Sequence, residues 1–311
     1  MSGTRPDPVK DLYQRWSEIF AERGELPLDE WRAIIEEWGE ATAEPGGVDY
    51  LEVDAGGVPA MWLAPKGAAE DRVVLGLHGG GFVTGSMYTH RKLFGHIAKA
   101  IGARALVPDY RRAPEHTHPA PVEDARSAYR WLLDQGIEAS HIVFTGDSAG
   151  GGLVVTTMLL AREQGLPLPA AGMPLSPWFD FEQTGGSYDE NASKDVLLSR
   201  EFSQRLADMF LGDTGNPKDP LVSPVHADLA GLPPLYIQAS QDEVIVDDSR
   251  SFAERAEQGG VEVRVDVFPG QQHTFQIAAG RSPVADDAIR RLAEWARPKL
   301  GLLGEAEPCA S

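Results

Sequence analysis

The sequence predicts an α/β fold in which a mostly parallel sheet is covered by helices on both faces. Short apolar, β-branched runs alternate with helical segments along most of the 311 residues. At one strand-to-helix junction, residues 146–150, a serine stands between glycines. Another apolar strand, residues 73–77, runs directly into a His-Gly-Gly-Gly loop. These three observations define the fold class.

The first segment, residues 1–45, is predicted to be helical and amphipathic. Apolar side chains recur at helical spacing over residues 9–20, and the pattern returns over residues 28–38 after Pro27. Tyrosine and tryptophan occupy several of these apolar positions. Such helices either cover a core as scaffold or wall an apolar pocket, and the pattern is compatible with both.

The central segments alternate between strand and helix patterns. A hairpin is predicted over residues 48–65, and strands are predicted at 72–77, 103–108, 141–145, 170–175, 234–239 and 261–268. Helices are predicted at 92–101, 122–135, 153–164, 249–258 and 285–300. Between 178 and 219 the alternation stops, and one amphipathic helix appears near residues 202–211. This insertion either packs on the body or lines the pocket.

The glycine-flanked serine has the pattern of a nucleophile elbow. Residues 146–150 read Gly-Asp-Ser-Ala-Gly and fit G-x-S-x-G, which places Ser148 on a sharp turn where bulky neighbours would collide. The helix that begins behind it offers N–H groups and a positive dipole end to a developing anion. A plain glycine-rich turn is the alternative, because the chain has 33 glycines.

The His-Gly-Gly-Gly loop supplies the second half of an oxyanion hole in the pattern of lipases and esterases. We predict that the N–H groups of Gly80 and Gly81 from this loop, and of Ala149 from the elbow, bind the oxyanion. His78 precedes the glycines and is expected to hold the loop rather than to move protons.

An acid and a histidine complete the pattern, in the chain order of α/β-hydrolases. His273 lies in the loop after a predicted strand and is the candidate general base for Ser148. Asp242 follows the predicted strand 234–239 and is the expected acid. Together with the glycine loop, these residues make a plain glycine-rich turn a poor explanation.

Asp242 is one of four acidic residues within positions 242–248. Glu243 is adjacent to Asp242, but adjacent side chains diverge, so both cannot face the histidine. Asp247 and Asp248 precede a predicted helix and are expected to cap it and complement its dipole. We therefore predict Asp242 as the triad acid.

Over about residues 73 to 275 the sequence resembles the hormone-sensitive-lipase group of α/β-hydrolases. The resemblance is carried by the His-Gly-Gly-Gly and Gly-Asp-Ser-Ala-Gly motifs and by Asp-Tyr-Arg-Arg-Ala-Pro-Glu-His at 109–116. The chain is similar to the actinobacterial branch that includes monoterpene lactone hydrolases. It departs from the family in having Gly152 where Asn is usual, so the side-chain hydrogen bond of that Asn near the elbow is not expected here.

The resemblance implies an α/β-hydrolase fold with a helical cap. Residues 1–45 and 178–219 would form the cap, and residues 46–177 and 220–311 the core. It also implies Asp242 as the acid, frequent homodimers, and a serine carboxylesterase acting on small to medium esters. A lactone hydrolase using the same triad is the alternative, and amide hydrolysis a third. A ligand-binding protein on this fold is disfavoured, because the plant gibberellin receptors resemble the family but lack the histidine found here at 273.

The composition and the remaining sequence features limit the classes of partner that the protein is expected to bind. A net charge of −19 argues against nucleic acid and anionic membranes. No apolar run reaches the length of a membrane span, and the first residues lack a signal-peptide core. The single cysteine, Cys309, leaves no intrachain disulfide and is compatible with the cytoplasm, where we expect the protein.

No cofactor or metal is expected. The sequence has no His-Glu-x-x-His, and its glycine run lacks the Lys-Ser or Lys-Thr ending of a phosphate loop. The expected partner is a small-molecule ester or lactone. A second copy of the chain is also expected, because strand 261–268 has valine at alternate positions and is a candidate sheet edge.

Overall fold

A computed structural model of the chain describes residues 7–302. Cys309, whose lack of a disulfide partner follows from the sequence, lies outside the described residues, as do the first six residues.

The described residues contain eight strands and ten α-helices. The strands are β1 Val48–Asp54, β2 Pro59–Pro65, β3 Ala69–Leu77, β4 Ala103–Pro108, β5 Ile142–Asp147, β6 Ala171–Leu175, β7 Leu235–Ser240 and β8 Val263–Phe268. The helices are α1 Pro8–Arg23, α2 Leu28–Ile35, α3 Trp38–Ala41, α4 Met87–Ile101, α5 Ala120–Asp134, α6 Ala149–Glu163, α7 Ser187–Glu190, α8 Arg200–Leu211, α9 Val246–Gln258 and α10 Pro283–Lys299.

All eight strands form one sheet, in the order β1-β2-β4-β3-β5-β6-β7-β8. Strand β2 is antiparallel to both of its neighbours, β1 and β4, and every pairing from β4 to β8 is parallel. The helices between the parallel strands provide the crossovers that parallel pairing requires. The predicted fold class is therefore confirmed, and β8 lies at one edge of the sheet, as expected.

The two faces of the sheet are covered by different helices. In β3, Val73, Leu75 and Leu77 are buried in one apolar cluster, which also holds the apolar side of α6. Val74, between them, is buried in a second cluster with the apolar sides of α4 and α10. This alternation follows from the two-residue period of a strand. Burial on both faces explains why the central strands are continuously apolar rather than alternating.

Several boundaries differ from the prediction for local reasons. The predicted helix 28–38 is two helices, α2 and α3, with a break at residues 36–37. Helix α4 begins five residues earlier than predicted, because Ser86 and Thr89 form a capping box at its start. Helix α6 begins at Ala149, immediately after the elbow serine.

The parallel strands place four loops together at the carboxyl end of the sheet. The carboxyl ends of β3, β5, β7 and β8 lead respectively to the glycine loop, the elbow, residues 241–245 and residues 269–275. Loops after the carboxyl ends of parallel strands are the usual place for a site in such sheets. Within residues 7–302, no helix combines the length and apolar character needed to cross a membrane.

Candidate active site

Ser148 lies between β5 and α6 in the strained turn that the motif predicts. Its backbone has φ +53° and ψ −120°, an unusual conformation for a residue with a side chain. The turn is held from both sides, because Ser148 N–H donates to the Leu175 carbonyl at 2.9 Å and the Ser148 carbonyl accepts from Trp178 N–H at 3.0 Å. Ser148 lines a cavity at the edge of the sheet.

Gly152 is explained by a close backbone approach. A Cβ atom at this position would lie 2.7 Å from the Trp178 carbonyl oxygen, which is shorter than real Cβ contacts. An asparagine would therefore displace the backbone at Trp178, and that residue lines the cavity. The side chain usual in the family is excluded here by packing.

Three main-chain N–H groups are available near Ser148. Among residues 7–302, the N–H groups of Gly80, Gly81 and Ala149 make no hydrogen bond, although all three residues are buried. Gly80 has φ +112°, and a Cβ there would lie 2.2 Å from the Thr84 carbonyl oxygen, so only glycine fits. Buried N–H groups without an acceptor are rare, and an oxyanion requires donors of this kind.

Side chains behind the glycine loop hold it in place. Tyr110 stacks on the His78 ring at 4.0 Å and donates from its hydroxyl to the His78 carbonyl at 2.6 Å. Burial lowers the pKa of His78 well below its usual value, with the neighbouring His90 as a further cause, so this ring stays neutral. Both findings agree with a holding role for His78.

The glycine loop has a second support, formed by Asp147 and His90, which the sequence analysis did not predict. Asp147 Oδ1 accepts from Gly79 N–H at 3.0 Å, and Asp147 Oδ2 lies 3.2 Å from His90 Nε2. Asp147 therefore joins the elbow to the glycine loop, and His90 fixes the carboxylate. His90 carried no signal in the sequence, because it lies inside helix α4 and far from any recognisable motif.

His273 is paired with Glu243, and the prediction of Asp242 as the triad acid is wrong in this respect. His273 Nδ1 lies 2.8 Å from Glu243 Oε2, and both side chains are buried. Asp242 is half-buried and makes no hydrogen bond or ion pair within residues 7–302. The carboxylate that orients His273 in the structure is therefore one residue further along.

The reason lies in the end of β7. The strand extends to Ser240, one residue beyond the predicted end. Glu243 reaches back, so that its Oε1 accepts from Ser240 N–H at 3.1 Å while Oε2 faces His273. Asp242 has a shorter side chain and is half-buried. Divergence of adjacent side chains was anticipated, but the sequence did not reveal which one faces inward.

His273 lies close to several negatively charged side chains. Burial by itself lowers the pKa of His273, but the hydrogen bond and charge of Glu243 outweigh it, and Asp195 and Asp147 add to the effect. The net result is a pKa raised above the ordinary value for histidine. The imidazolium form that arises during proton transfer is therefore stabilised at this position.

Asp195, another residue missed by the sequence analysis, ties the 178–219 segment to the acid. Its Oδ2 accepts from Val244 N–H at 3.0 Å, and its Oδ1 accepts from the N–H groups of Leu197 and Leu198. Burial is the main cause of a raised pKa for Asp195. A contact between loops 49 positions apart, such as that of Asp195 with Val244, leaves no periodic pattern in a sequence.

Asp248 was predicted to cap helix α9, but it does not do so in the structure. It is buried, and its Oδ2 accepts from the N–H groups of Phe179 and Asp180 at 3.0 and 2.9 Å. Asp247 accepts from Ser187 N–H at 2.9 Å. Both carboxylates therefore anchor the 178–219 segment to the core, because the first turn of α9 packs against that segment rather than facing solvent.

The cavity that contains Ser148 and His273 has a volume of about 40 Å³ and mostly apolar walls. The N-terminal helices contribute Trp16, Trp31 and Trp38, and α8 contributes Phe202 and Leu206. The same tryptophans are buried in the main apolar cluster. The aromatic residues of the N-terminal segment therefore serve both as scaffold and as pocket walls, the two roles that the sequence left open.

One group of side chains in the described part of the chain has the spacing of metal ligands. It consists of Asp180, Glu182 and His226. Glu182 already bonds His226 at 2.8 Å and Lys218 at 3.1 Å, while Asp180 accepts from Thr184 N–H. Because protein donors occupy these oxygens, we assign no metal to the group.

The comparison that decides the family covers the glycine loop, the serine elbow and the histidine loop. The profile of a family described as having the alpha/beta hydrolase fold matches residues 74–277. The chain belongs to this α/β-hydrolase family. The match spans the glycine loop, the elbow and His273, but not the N-terminal helices that supply Trp16, Trp31 and Trp38 to the cavity.

Relatives within the α/β-hydrolase family are esterases. An acetyl-hydrolase of Streptomyces hygroscopicus is 40% identical over 77% of this chain and 78% of its own length. An esterase of Acinetobacter venetianus is 35% identical over 74% and 76%. A crystal structure of an esterase from the bacterial hormone-sensitive lipase family, 41% identical, superposes with a TM-score of 0.91 over 96% of this chain and all of that one.

These findings place the protein among the bacterial hormone-sensitive-lipase esterases, as the sequence motifs predicted. The protein is a carboxylic ester hydrolase of the α/β-hydrolase family. None of these three relatives is named for action on lactones, so the lactone alternative has no specific support.

Proposed function

We propose that the protein hydrolyses small carboxylic esters through an acyl-enzyme on Ser148. His273 is the general base, and Glu243 is the carboxylate that orients it. The observation that carries this proposal is the meeting of Ser148, in its strained turn, and the Glu243-paired His273 at the wall of one cavity. A nucleophile, a base and an orienting group are the parts that such catalysis requires.

The reaction begins with the tautomer of His273 that Glu243 selects. Nδ1–H donates to Glu243, so Nε2 is free to take the Ser148 proton as the hydroxyl oxygen attacks the ester carbonyl. The N–H groups of Gly80, Gly81 and Ala149 stabilise the negative oxygen of the tetrahedral intermediate. The C–O bond then breaks, and Nε2–H gives its proton to the leaving alcohol. A water molecule repeats the sequence, and the acid leaves.

The size and lining of the cavity indicate a short, apolar acyl group. At about 40 Å³ the cavity is small. Most of the side chains that line it are aromatic or aliphatic, such as Trp31, Phe202 and Leu206. The name of the Streptomyces relative, an acetyl-hydrolase, agrees with an acetyl-sized preference.

A series of p-nitrophenyl esters from acetate to laurate tests the proposed substrate class. We expect kcat/KM to be highest for the shortest acyl chains and to fall as the chain lengthens, because long chains must displace the tryptophan walls. A carboxylesterase preparation that prefers decanoate or laurate would contradict the short-acyl proposal. Amides and lactones of matched size belong in the same series as controls.

The pH dependence follows from the raised pKa of His273. The base must be neutral, so kcat/KM is expected to fall as the pH drops through that pKa. Because Glu243 raises this pKa above the ordinary histidine value of about 6.5, the acid limb should lie above pH 6.5 in the free enzyme. A flat profile between pH 5 and 8, measured on folded protein, would contradict His273 as base.

We further propose a homodimer formed through β8, and a cytoplasmic location. The dimer is supported by the position of β8 at the sheet edge, where unpaired backbone groups invite a second strand. Light scattering at micromolar concentration measures the mass, and a monomer mass would reject the dimer. Cell fractionation tests the location, which rests on the cysteine usage of the sequence.

A further inference from the structure

The hydroxyl of Tyr13 joins the N-terminal helices to the loop that carries His273. Tyr13 lies in α1, 260 positions before His273, and its side chain is fully buried. The hydroxyl donates to the His273 carbonyl oxygen at 3.1 Å and lies 3.1 Å from Thr274 Oγ1. Trp38 Nε1–H, from α3, donates to the same hydroxyl oxygen at 3.1 Å.

These contacts use the hydrogen-bonding capacity of the hydroxyl in full. Its one hydrogen goes to His273, and its oxygen accepts from Trp38 and Thr274. Burial raises the pKa of Tyr13, so the phenol stays protonated and keeps its donor. A polar hydroxyl inside an apolar cluster is costly unless it is paired in this way.

The backbone that Tyr13 contacts is held in an unfavourable conformation. Thr274 has φ +51° and ψ +41°, the left-handed region that β-branched residues rarely adopt. Such a conformation persists only where the surroundings enforce it. The hydroxyl of Tyr13 bonds the carbonyl of the peptide between His273 and Thr274 and also the Thr274 side chain, so it contacts the main chain of the residue that carries the imidazole.

We propose that Tyr13 is a positioning residue that makes the alignment of His273 depend on the docked N-terminal helices; this inference rests on the proposed role of His273 as base. The same helices supply Trp16, Trp31 and Trp38 to the walls of the cavity. An ester larger than the cavity must displace these walls on entry. Return of the helices over the substrate then restores the Tyr13 contact and, with it, the alignment of the base.

Tyr13→Phe removes the hydroxyl and keeps the ring, which packs against Trp16 and Trp38. With p-nitrophenyl acetate we expect kcat to fall about tenfold and KM to change little, because a small misplacement of a catalytic group costs turnover rather than binding. The acid limb of the pH profile should move to lower pH as the pairing of His273 with Glu243 weakens.

Tyr129→Phe is the matched control. Tyr129 is also a buried tyrosine whose hydroxyl donates to a main-chain carbonyl, that of Pro167 at 2.6 Å, and it lies on α5 away from the cavity. Both variants should lose a similar amount of thermal stability. Only Tyr13→Phe should lose turnover, and an equal loss of turnover in both variants would overturn the proposal.

A measurement that does not depend on hydrolysis separates this inference from the proposed function. The pKa of His273 is followed by NMR of histidine-labelled protein and assigned by the signal missing in His273→Asn. It should be lower in Tyr13→Phe than in wild type, whatever the role of the histidine. An unchanged His273 pKa with unchanged kcat in folded Tyr13→Phe would reject the inference while leaving the esterase mechanism intact.

If Tyr13→Phe fails to fold, Thr274→Val provides the second test. It removes the Oγ1 partner of the Tyr13 hydroxyl and keeps the branched shape of the side chain. We expect a smaller fall in kcat in the same direction and the same downward movement of the His273 pKa. A Thr274→Val protein with wild-type kcat and wild-type His273 titration would equally overturn the proposal.

Discussion

Ser148→Ala is expected to lower kcat about 10⁶-fold, the scale on which serine hydrolases lose turnover when the nucleophile is removed. The change deletes one oxygen atom, and the hydrogen bonds that hold this turn involve main-chain atoms at residue 148. We therefore expect an unchanged fold and an unchanged melting temperature. Turnover of p-nitrophenyl acetate and labelling by an organophosphonate should disappear together.

Ser176→Ala is a suitable control for this experiment. Ser176 is a buried serine with φ +42° at the end of β6, and its Oγ has no hydrogen-bond partner in the described part of the chain. It resembles Ser148 in conformation and burial but does not line the cavity. Activity should survive in Ser176→Ala. Retained turnover in Ser148→Ala, after contaminating esterase is excluded, would remove Ser148 from the mechanism.

Glu243→Gln is expected to lower kcat about 10⁴-fold, the loss seen when a triad loses its orienting carboxylate. The amide keeps the size of the side chain but removes the negative charge beside His273 Nδ1. The imidazolium formed during catalysis then lacks its partner, and the Nδ1–H tautomer is no longer favoured. The pKa of His273 should fall in the same variant, because Glu243 is a cause of its rise.

Asp242→Asn is the matched control, one position away. Its carboxylate makes no hydrogen bond or ion pair within residues 7–302. We expect kcat within about twofold of wild type, as for other surface substitutions without partners. The opposite pattern, with Asp242→Asn inactive and Glu243→Gln active, would mean that the loop after β7 rearranges when substrate binds.

Local patterns were sufficient for the parts of the site that lie within single motifs. The elbow places Ser148 and Ala149 together because they are neighbours in the chain, and the glycine loop does the same for Gly80 and Gly81. His273 was predicted because it follows a strand, and parallel strands end at a common edge. In each case a short segment contains its own geometric constraint.

The acid shows where such patterns fail. The structure pairs His273 with Glu243 and not with Asp242, and β7 ends at Ser240, one residue later than predicted. Strand ends are the least certain part of any prediction from sequence. The longer side chain of Glu243 also matters, because it bonds the strand end and the imidazole at once.

By itself the sequence determined the α/β-hydrolase fold and predicted the serine, the histidine and the oxyanion loop of the proposed site, since periodicity and short motifs act over a few residues. Only the tertiary structure pointed to Glu243 as the proposed acid, and only it showed the support of the loops by His90 and Asp195 and the contact of Tyr13 with the His273 loop. That contact joins residues 260 positions apart, and no local pattern encodes which distant helix docks against a given loop. It follows from packing, in which a buried hydroxyl must find the one place where its partners meet.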